Sequence, residues 1–556
     1  MRNDHSLQSL SILFTASAAL TFGLAACGGS DGTPAPAPAT PPVITVQPDS
    51  LTIGEGGSGT VSVSATSGGG AIAYQWFNAT RSTNIAGANA AELDFGPISL
   101  VADGTQYNVS LTNTGGTTSS APRTLTVNER AWSAPADALA SAARQLATVV
   151  DSNGHTHLLA ITGNNLAAAV QASIQLRPSS PTQANAFTAP GNAVLQASEA
   201  LGAGGTSIAA AANSNGRVLA VWHRNGIVGG ALYTPGTDAT TAGTWALLPT
   251  RINSFQSTSA LEPAVAAVGS DAFEIVWRER IATNGAHDVM ARRYNVGNNT
   301  LDSSVPLEAL SSETEAPRVV ADATGNLLAA WRHTGVGTVV NRRAAGQAWG
   351  TTVLTVDSSA QPLEVLRTNA NGKAVLLTSN RLGSVLATRL DLAASNVMLA
   401  GPAPIANAYG SGPDAVVDNT DRIHVFGVSC CGPGGSSRLF RWIFQNDLWT
   451  AAEPISDPSP NNFLTTGLGV YSPQVSGVDT EGNFIVVWQD RVAGGDNPLS
   501  HGNARRFHTP LSGWRPTVAV GDGNNGPVRV TMGSNGGATV TFGDSTRAAV
   551  LAASLR

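Results

Sequence analysis

Asp322-Ala-Thr-Gly325-Asn-Leu-Leu-Ala-Ala-Trp331 reads as a tight turn followed by a short apolar run that ends in tryptophan. Asp479-Thr-Glu-Gly482-Asn-Phe-Ile-Val-Val-Trp488 repeats it. With drift, the phrase occurs eight times after residue 140. Its turn position is filled by Gly154, Gly216, Asp271, Gly325, Gly372, Asp421, Gly482 and Gly536. Three residues earlier stand Asp151, Asn213, Asp322, Asn369, Asp418 and Asp479, with Val268 and Gly533 as exceptions. An Asp or Asn side chain can hydrogen-bond backbone two residues on, and glycine accepts the positive φ that closes such a turn. Asp271 and Asp421 are expected to reach the same left-handed conformation at some cost. Six residues after the turn come Trp222, Trp277, Trp331, Trp488 and Phe542, whereas Ala160, Thr378 and Gly427 break the rule.

The runs between turn and tryptophan, Arg217–Trp222, Phe273–Trp277, Leu327–Trp331 and Phe484–Trp488, suit strands covered on both faces. Strand-like stretches follow at Val228–Tyr233, Asp288–Tyr294, Gly337–Arg342, Ser384–Leu390, Arg438–Phe444 and Ala548–Leu555. Then come Trp245, Trp349, Trp449 and Trp514, which mark a further strand in their copies. Adjacent turns are 47 residues apart from Gly325 to Gly372 and 62 apart from Gly154 to Gly216. Four strands in each copy of this size describe the blade of a β-propeller. The expected fold is all-β, with eight four-stranded antiparallel blades over 129–556. Seven remain if the weak copy around Gly372 or Gly154 is misread. The last copy ends after three strands, so Trp132–Ala138 is expected to supply the fourth and close the ring.

The front of the chain reads differently. Residues 1–26 have the charge (Arg2) and the apolar stretch Leu10–Leu24 of an export signal, too short for a membrane span. Leu24-Ala25-Ala26-Cys27-Gly28 resembles a bacterial lipoprotein signal. That resemblance implies cleavage before Cys27, a diacylglycerol on its thiol and, from Gly28, sorting to the outer membrane. Residues 27–42 form a Gly/Pro/Ala-rich tether that cannot bury a core. Residues 43–128 read as a small β domain. Trp76 lies in an alternating run, and Tyr107 stands two residues before Val109. This pattern resembles an immunoglobulin-like domain, with Val109 and either Val63 or Ala65 at positions often held by cysteine, so apolar packing would replace the disulfide.

Composition narrows the function. A net charge of −6 gives no general attraction to nucleic acid, and no nucleic-acid-binding signature is present. The three cysteines are Cys27, Cys430 and Cys431. The adjacent pair is read either as a vicinal disulfide or as two thiols in a loop, and no His or carboxylate accompanies it at metal-ligand spacing. His155-Thr-His157 would place two imidazoles on one strand face, but two ligands without a third do not make a metal site. No cofactor or metal is expected. Nucleophile-elbow, zinc-protease and P-loop patterns are absent.

In a propeller, loops between second and third strands lie on the face that also carries the inter-blade loops. Here they begin with charge, giving the candidate ligand-binding residues Arg224, Arg278, Arg280, Arg332, His333, Arg381 and Arg491. Guanidinium forks suit carboxylate or sulfate, two donors to two oxygens. The repeats are distantly similar to sialidase-like propellers, which imply an arginine triad, a Tyr–Glu pair and an Asp acid/base. This chain departs from them. Its Gly and Trp are six apart rather than three, and Arg251-Ile252-Asn253 is the nearest string to an Arg-Ile-Pro motif. Glu279 and Asp490 are the nearest candidates for paired carboxylates. The expectation is a lipid-anchored cell-envelope protein, periplasmic or surface-exposed, whose propeller recognises a glycan or protein without catalysis. A glycan-active hydrolase or lyase, and a purely structural envelope protein, are the alternatives.

Overall fold

The computed structural model describes residues 37–556 except 142, 165–166, 177–186, 200–205, 238–239, 254–259, 281–284, 311, 380–383, 410–411, 430–436, 458–468, 493–498, 523–524 and 545–548. The export signal, Cys27, Arg381, Cys430 and Cys431 lie outside the described residues. The chain divides into two compact units. The smaller runs to Ser50 and adds Thr60–Leu93 and Thr105–Thr124, and the larger comprises Leu51–Gly59, Asp94–Gly104 and Leu125–Arg556.

In the smaller unit, strand Ala73–Asn78 pairs antiparallel with Gln106–Asn113, which sets Trp76 opposite Val109. Trp76, Val109 and Leu111 are fully buried, and Val63 is buried beside them in the core set. Tyr107 packs its ring 6.2 Å from that of Trp76 and donates its hydroxyl to the Asp49 carbonyl at 2.5 Å. A buried tyrosine needs such a partner for its one polar atom.

The larger unit is an eight-bladed β-propeller. The inner strands, in order, are Ala143–Val150, Ser207–Ala212, Ala260–Val268, Thr314–Ala321, Leu363–Thr368, Asp414–Val417, Gly469–Val475 and Asn525–Met532. Blade four shows the plan. Thr314–Ala321 pairs with Leu327–His333, that with Gly337–Arg343, and that with Leu354–Asp357, all antiparallel. Each inner strand lies against the next, and that of blade eight lies against that of blade one. The ring closes as expected. Ala136–Leu139 pairs with the last strand, Ala549–Leu555, and Trp132 bridges to Leu555. Seven blades are thereby excluded.

The core sits between blades. Leu327, Ala329 and Trp331 of blade four pack on Val276, Val289 and Ala291 of blade three. Leu328, Ala330 and Val340 on its other face pack on Leu366, Leu376 and Leu390 of blade five. Alternation sends neighbouring side chains to opposite faces, so a strand with blades on both sides must be apolar throughout. Val218–Arg224 is buried at every residue. Each fully buried large apolar side chain contributes about 1.5–3 kcal/mol. Ala138 and Leu139 pack with Leu158 and Ala160, joining blade eight to blade one.

Two sequence expectations need correction. Gly325, Gly482 and Asp421 hold φ of 90°, 80° and 66°, as the turn reading requires, but Asp271 does not. In blade three the ladder runs one rung further into the turn, to Val268 and Ala272, and Gly269 takes the positive φ of 62°. Trp349 lies outside any strand. It precedes the outer strand Leu354–Asp357 and donates its indole N–H to Glu274 of blade three at 2.6 Å.

Candidate functional site

The two faces of the propeller differ because their loops are built differently. On one face lie the repeat turns. In six of the eight, the leading Asp or Asn accepts backbone N–H groups two and four residues on. Asp322 Oδ1 takes those of Thr324 and Asn326, each at 2.9 Å, and Asp418 Oδ1 takes those of Thr420 and Arg422 at 2.9 and 3.0 Å. Neighbouring turns are tied together: Asn369 Nδ2 donates to the Asp418 carbonyl at 2.9 Å, and Asn419 Nδ2 to that of Asp479 at 2.9 Å. This face is a belt of hydrogen-bonded turns.

The same device absorbs the paired histidines. Both imidazoles converge on Asp151 Oδ2, His155 at 3.3 Å and His157 at 3.0 Å, all three side chains fully buried. Burial alone would raise the Asp151 carboxyl, but the hydrogen bonds and charge of the two histidines hold it well below the usual carboxylate range. This group is a turn clamp.

Elsewhere in the larger unit, Glu55, Glu481 and His508 bring potential metal-ligating atoms within 4.8 Å of one another. Arg506 already donates both arms to Glu55, at 2.8 and 2.5 Å, with both side chains 4% exposed. That buried pair satisfies the carboxylate and leaves its charge neutralised. A cavity of about 660 Å³ includes Glu55, Arg130, Gln175, Thr539 and Ser554 in its lining. Their polar atoms largely serve one another, as where Ser554 Oγ donates to Gln175 Oε1 at 2.9 Å.

The opposite face carries the second-to-third-strand loops and the sequence-predicted arginines. Arg278, at the end of the second strand of blade three, sits 2.7 Å from Glu262 and 3.2 Å from Glu313, and donates to the Thr314 carbonyl at 2.9 Å. Glu313 also meets His287 Nδ1 at 2.7 Å. Glu262 holds a φ of 51°, where the inner strand slips register between Leu261 and Ala264. A left-handed non-glycine residue in a β-bulge stores strain and re-aims its side chain, a combination found at functional sites. In blade four, Arg332 pairs closely with Glu315. Arg280 is exposed at its strand end and Arg491 is half-buried. Arg224 is buried and donates to the Ala168 carbonyl of blade one. With Trp222, Gln196 and Arg251 it lines a cavity of about 240 Å³. The structure therefore gathers Arg278 with carboxylates at blades three and four and sets Arg224 apart in its own pocket.

His333 is buried. Its Nδ1 lies 2.9 Å from Ser312 Oγ, and its Nε2 lies 3.2 Å from Glu308. Burial pushes the Glu308 carboxyl up to about 7, against hydrogen bonds from the Val289 amide and the Trp331 indole, with nearby Asp288 adding to the rise. Burial also lowers the His333 imidazole. The spacing resembles a nucleophile–base–acid relay, but the Ser312 hydroxyl donates to the Thr334 carbonyl at 2.8 Å, and the Glu308 side chain is fully buried. A hydroxyl so engaged accepts from His333 and cannot give the imidazole its proton. Of the two carboxylates singled out in sequence, Glu279 is buried and accepts the Trp277 indole N–H at 2.9 Å.

Two polar groups near Arg278 have no hydrogen-bond partner among the described residues. They are both ring nitrogens of His223, which is 1% exposed, and Ser207 Oγ opposite it in register. Burial first, and then the Arg278 charge, push His223 down to about 4. Orphaned buried polar groups are rare enough to call for an explanation.

Sequence reading missed a second set of arginines. Arg318, Arg367 and Arg529 stand on the inner strands of blades four, five and eight. Arg367 Nη2 donates to both carboxylate oxygens of Asp414 of blade six, at 2.9 and 3.1 Å. Asp414 also accepts the Val475 amide of blade seven at 2.9 Å, so one buried carboxylate ties three blades together. Arg529 donates to the carbonyl of its neighbour Val528 at 2.7 Å. Enclosure by protein, and then the charge of Arg367, hold the Arg318 guanidinium below the usual arginine value. The available signal was a charge inside an otherwise apolar inner strand, as in Pro317-Arg318-Val319.

No known family profile matches the chain, and no curated protein matches it. Among solved structures, the WD40 domain of SCAP from fission yeast is similar at 10% identity and a TM-score of 0.43, over 77% of this chain and 94% of that one. The polysaccharide lyase Uly1 is similar at 9% identity and a TM-score of 0.39, over 64% and 89%. The SapL1 lectin, solved with alpha methyl fucoside, is similar at 11% identity and a TM-score of 0.34, over 57% and 97%.

Proposed function

We propose that this chain is a lipid-anchored cell-envelope protein whose propeller serves as a recognition module for a hydroxyl-rich or acidic glycan. The observation that carries the reading is the network of Arg278, Glu262, Glu313 and His287 on the face opposite the turn belt, held by a strained glutamate. A guanidinium beside a carboxylate offers donors and an acceptor side by side. Neighbouring sugar hydroxyls can use both at once, and a sugar carboxylate can displace the resident one. His223 and Ser207 supply further polar groups nearby. The anchor rests on Cys27 directly after the apolar export segment, and residues 43–128 would act as a spacer between lipid and propeller.

The test is glycan-array binding by the wild type and by a variant carrying Arg278→Gln, Arg332→Gln and Arg491→Gln. Loss of the bound glycan with the fold intact is the expected result. Unchanged binding overturns the reading. Palmitate incorporation by wild type and its loss in Cys27→Ala tests the anchor separately.

A further inference from the structure

Of the inner-strand arginines, Arg367 is paired with Asp414 and Arg529 donates to the Val528 carbonyl, whereas Arg318 has no such contact among the described residues. Blade eight lies four blades from blade four, across the ring. Inner strands of opposite blades face each other only over the central channel. Arg529 nonetheless lies within electrostatic reach of both Arg318 and Arg367. Arg318 and Arg367 are solvent-accessible there. Arg318 makes no hydrogen bond and no ion pair among the described residues. Asp414 is the carboxylate in direct contact with the set. Its oxygens already serve Arg367 and the Ala415 and Val475 amides. Glu262 and Glu364 also act on Arg318, but Glu262 is held by Arg278 and Glu364 accepts the Ser379 hydroxyl at 3.3 Å.

Like charges gathered in a confined space are costly unless an anion joins them. Each guanidinium presents paired donors that match two oxygens of a carboxylate. Three such forks converging from different blades fit a compact ligand with several carboxylate groups better than a single carboxylate or a neutral sugar. We propose that Arg318, Arg367 and Arg529 form a polycarboxylate-binding site in the propeller channel. The carboxylates could come from a small free acid or from the acidic sugars of an oligosaccharide, since the arginines read only the shared group.

Isothermal titration calorimetry on the full chain at low salt tests this with two probes, citrate for the free acid and trigalacturonate for the sugar source. Saturable binding of either probe by the wild type, weakened at least about tenfold in Arg318→Gln and again in Arg529→Gln, supports the site, and the probe that binds identifies the source. Arg318→Gln should also melt no lower than wild type, because it removes repulsion and breaks no bond. Arg81→Gln, exposed in the smaller unit, should bind the probe as wild type does, which separates loss of the site from loss of one positive charge. Absence of binding to both probes, or equal binding by wild type and both channel variants, overturns it.

Discussion

Nε2 of His424 lies 3.0 Å from Oδ2 of Asp418, six residues before it in the chain. His157 meets Asp151 at the same distance and the same spacing, five blades earlier in the chain. The turn aspartate thus spends one oxygen on backbone N–H groups and the other on a side chain from the strand it launches. In blades four and seven that side chain is Asn326 or Asn483, at 2.7 and 2.9 Å. In the four aspartate turns the partner drifts but the second oxygen stays occupied, whereas Asn213 and Asn369 use their amide to donate to a neighbouring turn.

Removing the carboxylate should cost more than removing its partner. Asp418→Ala deletes acceptors for the Thr420 and Arg422 amides and for His424, leaving buried donors unpaired. We expect a loss of about 3 kcal/mol, given about 1–3 kcal/mol for each unsatisfied buried group and partial relief by water. Asp418→Asn keeps the oxygen for the two amides and should lose less. Urea unfolding of both variants checks the order.

Acid should weaken the propeller well above the carboxylate range. Burial lowers the imidazoles of His157 and His424, though the neighbouring aspartates oppose it, and takes His223 to about 4. A histidine with a depressed folded value contributes stability that is full above its unfolded value near 6.5 and is lost as the pH falls toward the folded value. For His223 the difference is worth on the order of 3 kcal/mol. Melting temperature should fall from pH 7 to pH 4, and His223→Leu should flatten part of that slope.

Glu308 should act in the opposite direction. Its carboxyl is raised to about 7, so its contribution to stability is full below an ordinary glutamate value and is lost as the pH climbs toward 7. Glu308→Gln, which stays neutral, should melt higher than wild type at pH 8 and no higher at pH 4.5. Scanning fluorimetry at the two values distinguishes the outcomes.

The seam between blades eight and one should govern overall stability. A chain beginning at residue 142 lacks the strand Ala136–Leu139 and the buried side chains of Ala138 and Leu139. It leaves Ala549–Leu555 as an unpaired edge, the usual invitation to edge-to-edge association. The shortened chain should melt lower and aggregate, whereas Leu139→Ala in the full chain should cost about 2–4 kcal/mol and remain monomeric.

The architecture was largely legible in sequence because its signals are short-range. Asp322, Gly325 and Trp331 declare a turn and a doubly covered strand within ten residues, and Trp132 announced the closing strand. Asp271 was misread because in this turn the ladder runs one rung further and the left-handed position falls at Gly269, which residue type alone does not reveal. The channel arginines were not found for a different reason. Whether Arg318, Arg367 or Arg529 points into the channel depends on register slips in their own inner strands, between Glu315 and Arg318, Leu363 and Val365, and Asn525 and Val528. Their nearness to one another depends on the closed ring, which no local pattern encodes. The mouth arginines were legible as positions, but their carboxylate partners come from other strands and became visible only in three dimensions.

Everything proposed for the channel depends on blade four and blade eight facing each other across a closed ring. Spin labels at Arg318→Cys and Arg529→Cys, in a chain whose three native cysteines are replaced by serine, report that directly. The closed ring predicts a spectrum broadened by dipolar coupling between the two labels. A spectrum equal to the sum of the two singly labelled proteins, as an open array of sheets would give, contradicts it.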